Sequence, residues 1–281
     1  MRRCVLILGV AAHLAALLAL PGVSAAPDDG TALSARLGLS RALAGRGDHD
    51  GLARADVRLL PGRLCFWLRW SGVSPPTSAA IHRGAMGAAG PVVVSLFTAP
   101  AGLSPSIRAV HGCAPADVDA QAAIRARPGA FHLVLRTSER PAGAVRGQLY
   151  RATHTPFAPP RGLATILTGE QAGPGPGDAD GAARAHLSAR GGRVCFQLRW
   201  RDLAQVTAVH VHQGGAGVVG PVMVTLLVGA VPATLDGAAG CVSGVDRPLL
   251  RSLRADPGRY SVNLHTSGHV DGAVRGGLRR G

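Results

Sequence analysis

The chain repeats itself. Residues 63–70 read RLCFWLRW and 193–200 read RVCFQLRW; 90–96 read GPVVVSL and 220–226 read GPVMVTL; 142–149 read AGAVRGQL and 271–278 read DGAVRGGL. The first two pairs are offset by 130 positions and the third by 129. A near-constant offset over separate blocks requires duplication of one folding unit, and a unit of this length is a domain, not a solenoid repeat. The 281 residues hold two such units, 31–150 and 163–280, joined by a proline-containing linker at 151–162. Duplication also supplies an internal control, because each position in one copy can be compared with its equivalent in the other.

Within each copy the apolar period is two. Phe66, Leu68 and Trp70 share one face of a strand, and Cys65, Trp67 and Arg69 share the other; Phe196, Leu198 and Trp200 repeat the pattern. Short alternating segments near 31–39, 53–60, 63–70, 77–82, 91–97, 131–136 and 144–149, separated by Gly, Pro and Asp, predict an all-β domain. About seven strands in such a length fit an antiparallel Greek-key β-sandwich. One short helix interrupts each copy, near Asp117–Ala126 and after Asp246, where Leu249, Leu250 and Leu253 have helical spacing before Pro257-Gly258. The paired Asp48-x-Asp50-Gly51 and Asp178-x-Asp180-Gly181 segments read as turns, since their flanks do not complete a calcium loop.

The start of the chain has the form of a secretory signal: Arg2 and Arg3, an apolar run from Val5 to Leu20, then Pro21-Gly22 and small residues through Ala26. Residues 1–26 are therefore expected to direct export and be cleaved, giving a secreted, periplasmic or cell-surface protein with no membrane span. A retained anchor is the alternative, although the run is short for a span. Without Cys4, four cysteines remain: Cys65 and Cys113 in one copy, Cys195 and Cys241 in the other. Export favours disulfides. Of the three possible pairings the duplication favours one bridge within each copy, Cys65–Cys113 and Cys195–Cys241, with four buried free thiols as the alternative. The first cysteine points off the apolar face, so a bridge would pin the helix-bearing connection over the outside of the sheet.

The formal charge is +14, and every basic residue is arginine. Such a composition reflects GC-rich coding as much as a binding surface. The arginines are scattered and lack interleaved aromatics, which argues against nucleic acid as a partner. An extracellular protein or an acidic polysaccharide is the better expectation.

Residues 210–222 (HVHQGGAGVVGPV), 240–246 (GCVSGVD), 260–266 (YSVNLHT) and 272–276 (GAVRG) together resemble the CHRD domain, the repeat named after chordin. The second copy matches over nearly its whole length; the first has diverged at several of these positions. The resemblance implies a secreted β domain, often in tandem. In chordin these domains accompany cysteine-rich, growth-factor-binding modules, and no such module is present here.

Three histidines of the second copy carry the chemistry. His210 and His212 lie two apart on a strand and share a face, opposite Val209 and Val211. The same alternation places His265 and Asn263 outward, opposite Tyr260, Val262 and Leu264. If the two strands are neighbours, three imidazoles meet, a set suited to copper or zinc. A His-x-His strand on a Greek-key domain is similar to copper–zinc superoxide dismutase, without that family's full ligand set. In the first copy Ala80 and Arg136 replace His210 and His265, and His82 matches His212. Arg146 and Arg275 occur in both copies, as ligands for an acidic group or as structural donors. No catalytic nucleophile arrangement stands out. These residues favour a non-catalytic binding or structural protein, acting in adhesion, the envelope or protein binding; a copper- or zinc-binding or redox protein using His210, His212 and His265 is the alternative.

Overall fold

The computed structural model describes residues 30–39, 47–85, 87–152, 162–173, 175–215 and 217–281. Residues 1–26, expected to act as an export signal, and most of the linker lie outside the described residues. The first copy runs β1 (Ala32–Leu37), β2 (Leu52–Leu60), β3 (Arg63–Ser71), β4 (Pro76–Arg83), β5 (Val92–Thr98), β6 (Ile107–Pro115), α1 (Val118–Ala126), β7 (Phe131–Thr137) and β8 (Val145–Arg151). The second runs β9 (Leu163–Thr168), β10 (Ala182–Arg190), β11 (Arg193–Arg201), β12 (Val206–Gln213), β13 (Val222–Val228), β14 (Leu235–Ser243), α2 (Arg247–Ala255), β15 (Tyr260–Thr266), β16 (Val274–Gly277) and β17 (Arg279–Arg280).

All pairings are antiparallel. In the first copy β6-β3-β2-β1 forms one layer and β5-β4-β7-β8 the other, with β1 bridging to β8. The skips from β3 to β6 and from β4 to β7 are Greek-key connections. The second copy repeats the scheme as β14-β11-β10-β9 and β13-β12-β15-β16. The alternation read from sequence holds: Phe66, Leu68, Phe196, Leu198, Val209, Val211, Val262 and Leu264 are all buried between the layers. Each helix follows the second cysteine-bearing strand of its copy. Ile124 of α1 and Leu250 and Leu253 of α2 face inward. Asp117 caps α1 by accepting from the Ala120 amide at 2.7 Å, whereas Asp246 makes no side-chain cap. Both aspartate motifs are turns: Asp48 Oδ1 accepts from the Asp50 amide (3.2 Å) and Asp178 Oδ1 from the Gly181 amide (2.9 Å).

The second cysteine of each copy is on a strand, not on a helix-bearing connection. Cys65 lies directly opposite Cys113 in the β3–β6 register, and Cys195 opposite Cys241 in β11–β14, each with Cα atoms 3.9 Å apart. The bridges therefore tie neighbouring strands of one layer. They span 48 and 46 residues, and each stabilises by about 4 kcal/mol in the chain-entropy account.

The strands that carry these cysteines also join the two copies. β6 pairs antiparallel with β14, making one continuous 17-stranded sheet among the described residues. The register is self-reciprocal: Leu235 faces Gly112, its equivalent Ile107 faces Gly240, and the equivalent residues Val110 and Ala238 face each other at the axis. The Cys113 amide donates to the Thr234 carbonyl, and the Cys241 amide to the Ser106 carbonyl, each at 3.0 Å. Two copies thus meet as in an isologous dimer, within one chain, and each covers the edge the other would expose. A contact between His111 Nδ1 and an Asp236 carboxylate oxygen crosses the junction.

Candidate metal centre

β12 runs beside β15, so the three histidines converge. His210 is opposite Asn263, and His265 opposite Ala208, which places His265 one diagonal step from His210 on the outer face. Their nearest ring nitrogens all lie within 4.8 Å of one another. The ring centroids are 5.0 Å apart for His210–His265, 5.8 Å for His210–His212 and 6.4 Å for His212–His265.

Backbone carbonyls from the adjoining connections set each ring. His212 Nδ1 donates to the Gly220 carbonyl at 2.8 Å and His265 Nδ1 donates to the Val270 carbonyl at 2.8 Å. Both rings therefore present a lone pair at Nε2, the arrangement in which an outer partner fixes tautomer and direction of a ligating histidine. His210 Nδ1 lies 3.1 Å from His265 Nε2 and donates to it. The converging set is His210 Nδ1, His212 Nε2 and His265 Nε2. His212 is buried, and its Nε2 has no hydrogen-bond partner. A buried acceptor left this way is open to a further partner.

A second layer supports the first. Arg275, 2% exposed, donates through Nη1 to the Val218 carbonyl at 2.6 Å, holding the connection that also carries Gly220. The amide end of buried Asn263 lies 3.2 Å from His265 Nε2 and 3.3 Å from Arg275 Nη2. In the first copy Arg146 Nη2 donates to the Ala85 carbonyl (3.1 Å) and the Ala88 carbonyl (2.5 Å). Both arginines are thus engaged with loop carbonyls. Alternation puts Asn263 on the right face, but its role, and those of the Gly220 and Val270 carbonyls, depend on loops that carry no sequence signal.

In the first copy an arginine guanidinium occupies the equivalent place. His82 Nδ1 donates to the Gly90 carbonyl at 2.7 Å, as His212 does to Gly220, but His82 Nε2 accepts from Arg136 Nη2 at 2.9 Å. His132, which no motif singles out, stacks on His82 at 5.3 Å.

Burial, reinforced by the His265 and His212 imidazoles, pushes His210 down to about 4. Burial also lowers His212 against the opposing effect of its Gly220 bond, with Arg275 and His265 adding to the fall. His132 is driven to about 4, chiefly by burial and then by Arg146 and His82. His210 and His132 are therefore neutral at pH 7, and for His210 that is the state that ligates metal. The unfolded chain binds protons at these sites below about pH 6.5 while the folded protein does not, so their contribution is complete above that value and is lost as pH falls toward 4. The melting temperature of the metal-free protein is therefore expected to decline from pH 6.5 downward, before most carboxylates titrate. A flat profile between about pH 6.5 and 5 would contradict this assignment.

A strand-paired pair of Greek-key β-sandwiches, each with its own internal disulfide and one carrying a histidine cluster, is a modular binding architecture. The chain belongs to the CHRD domain family, which it matches over residues 38–149 and 163–278. Domains of this family are generally extracellular binding or structural modules. No curated protein sequence matches the chain. Among the described residues no helix is long and apolar enough to cross a membrane.

Proposed function

We propose that this is an exported binding protein of two domains, 31–150 and 163–280, released from its 1–26 signal, in which the second domain holds a copper or zinc ion through His210 Nδ1, His212 Nε2 and His265 Nε2. The observation that carries this reading is the convergence of three ring nitrogens within 4.8 Å, two of them on rings already oriented through the opposite nitrogen. Three neutral imidazoles suit both ions, and the general affinity order of divalent metals favours copper over zinc. To hold the ion, His210 would give up its hydrogen bond to His265 and carry its ring proton on Nε2. The first domain lacks two of the three ligands and serves as scaffold.

The test is a titration of the untagged protein with Cu²⁺ and Zn²⁺, followed by elemental analysis. About one equivalent per chain is expected, with affinity falling by ~100-fold or more in His212→Ala and unchanged in His186→Ala. Undiminished uptake in His210→Ala, His212→Ala and His265→Ala would refute the site.

A further inference from the structure

Helix α2 carries a feature that the metal reading does not use and the fold does not need. Leu250 and Leu253 anchor its inner face, while Arg247, Arg251 and Arg254 lie on the outer face and are exposed. Their spacing of four and three residues puts them on one side of the helix, over roughly 10 Å. Together with Leu250, Gly191 and Gly192 they line an open cleft of about 480 Å³ beside the β10–β11 turn. The equivalent positions of α1 are Val118, Ala122 and Arg125, with Val118 77% exposed. The helix buries equivalent positions in both copies, Gln121 and Ile124 in one and Leu250 and Leu253 in the other, so Arg247 and Arg251 are not required by the fold. Arg247 also stands in the first helical turn, where the helix dipole disfavours a cation. Arg254 Nη1 donates to the Ala189 carbonyl, and Arg280 Nη2 to the Ala255 carbonyl at 3.2 Å, which fixes the C-terminal end of the cleft. Among the described residues, no hydrogen bond or ion pair engages the guanidinium of Arg247 or Arg251.

We infer that this cleft and helix face bind an acidic polysaccharide. A row of guanidiniums matches carboxylate or sulfate groups repeated along a chain, and each can engage one bidentately. The surface does not fit an anionic membrane, because none of the exposed large hydrophobic residues lies on α2. It does not fit nucleic acid, because the single exposed large aromatic residue among the described ones, Tyr150, is in the other copy. The inference is independent of the histidine cluster.

The test measures binding of the full chain to alginate, a polyuronate, at ~0.15 M salt. Arg247→Glu/Arg251→Glu is expected to weaken binding about tenfold or more. Arg184→Glu/Arg199→Glu makes the same charge change on exposed residues paired across β10 and β11, and should leave affinity within about twofold. Circular dichroism and melting temperature confirm that both variants fold. Equal weakening in the two variants, no binding by the parent chain, or tighter binding to duplex DNA or to anionic phosphatidylglycerol vesicles would each overturn the inference.

Discussion

Gly240→Val should part the two domains while leaving each one folded. Gly240 and its equivalent Gly112 occupy reciprocal positions at the β6–β14 junction. A Cβ at Gly240 would fall on the Ser106 carbonyl, and one at Gly112 on the Thr234 carbonyl. The obstacle in both cases is backbone, which no rotamer change can move aside. Those same carbonyls accept the Cys241 and Cys113 amides, so the strands must separate and forfeit both bonds. Overpacking together with two lost backbone hydrogen bonds comes to about 3 kcal/mol or more, a weakening of association of roughly 100-fold. The experiment places a protease site between residues 152 and 162 and follows the cut protein by size exclusion. The halves of the parent chain should co-elute, and those of Gly240→Val should run apart with native-like circular dichroism. Co-elution of the variant halves would mean that some other contact joins the domains.

The same junction explains where sequence reading succeeds and where it stops. Segments such as Phe66–Trp70 and Val209–Val211 alternate clearly because one face is buried and the other meets water, and they announce their strands. β6 and β14 do not. Their sequences, IRAVHGCAP and LDGAAGCVS, are rich in Gly and Ala and poor in the β-branched residues that mark strands. The reason is physical: small residues there allow the backbone of the other domain to approach. What hides these strands is what makes them an interface. Duplication therefore pairs the cysteines within the right copies, yet the spacing alone puts the second one on a connection outside the sheet.

For the histidines, parity along β12 and β15 gives the face, and their adjacency follows from the Greek key. The orientation of each ring is not legible, since it is set by carbonyls at Gly220 and Val270 in connections whose conformation alternation does not report. The substitution of Arg136 for His265 is visible in the sequence as a loss of a ligand. That the guanidinium then bonds to the matching histidine is seen only in three dimensions.

That substitution makes the strongest prediction about the second domain. His210→Ala/His265→Arg copies the arrangement of the first domain into the second. The backbone is prepared for it, because β4 and β12 carry the same irregularities, between Ala79 and Ala80 and between Ile81 and His82 in one, and between Val209 and His210 and between Val211 and His212 in the other. The new guanidinium would donate to His212 Nε2 as Arg136 donates to His82 Nε2, giving the buried orphan acceptor a partner. Copper and zinc uptake should disappear, since two ligands are gone and a fixed positive charge stands in the site. Stability should move the other way: satisfying the buried nitrogen is worth about 1–3 kcal/mol, and the metal-free variant should melt above the metal-free parent. His210→Ala/His265→Ala should lose the metal without that gain. If His210→Ala/His265→Arg instead melts below His210→Ala/His265→Ala, the guanidinium cannot take the place of the cation, and the equivalence drawn between the two copies breaks.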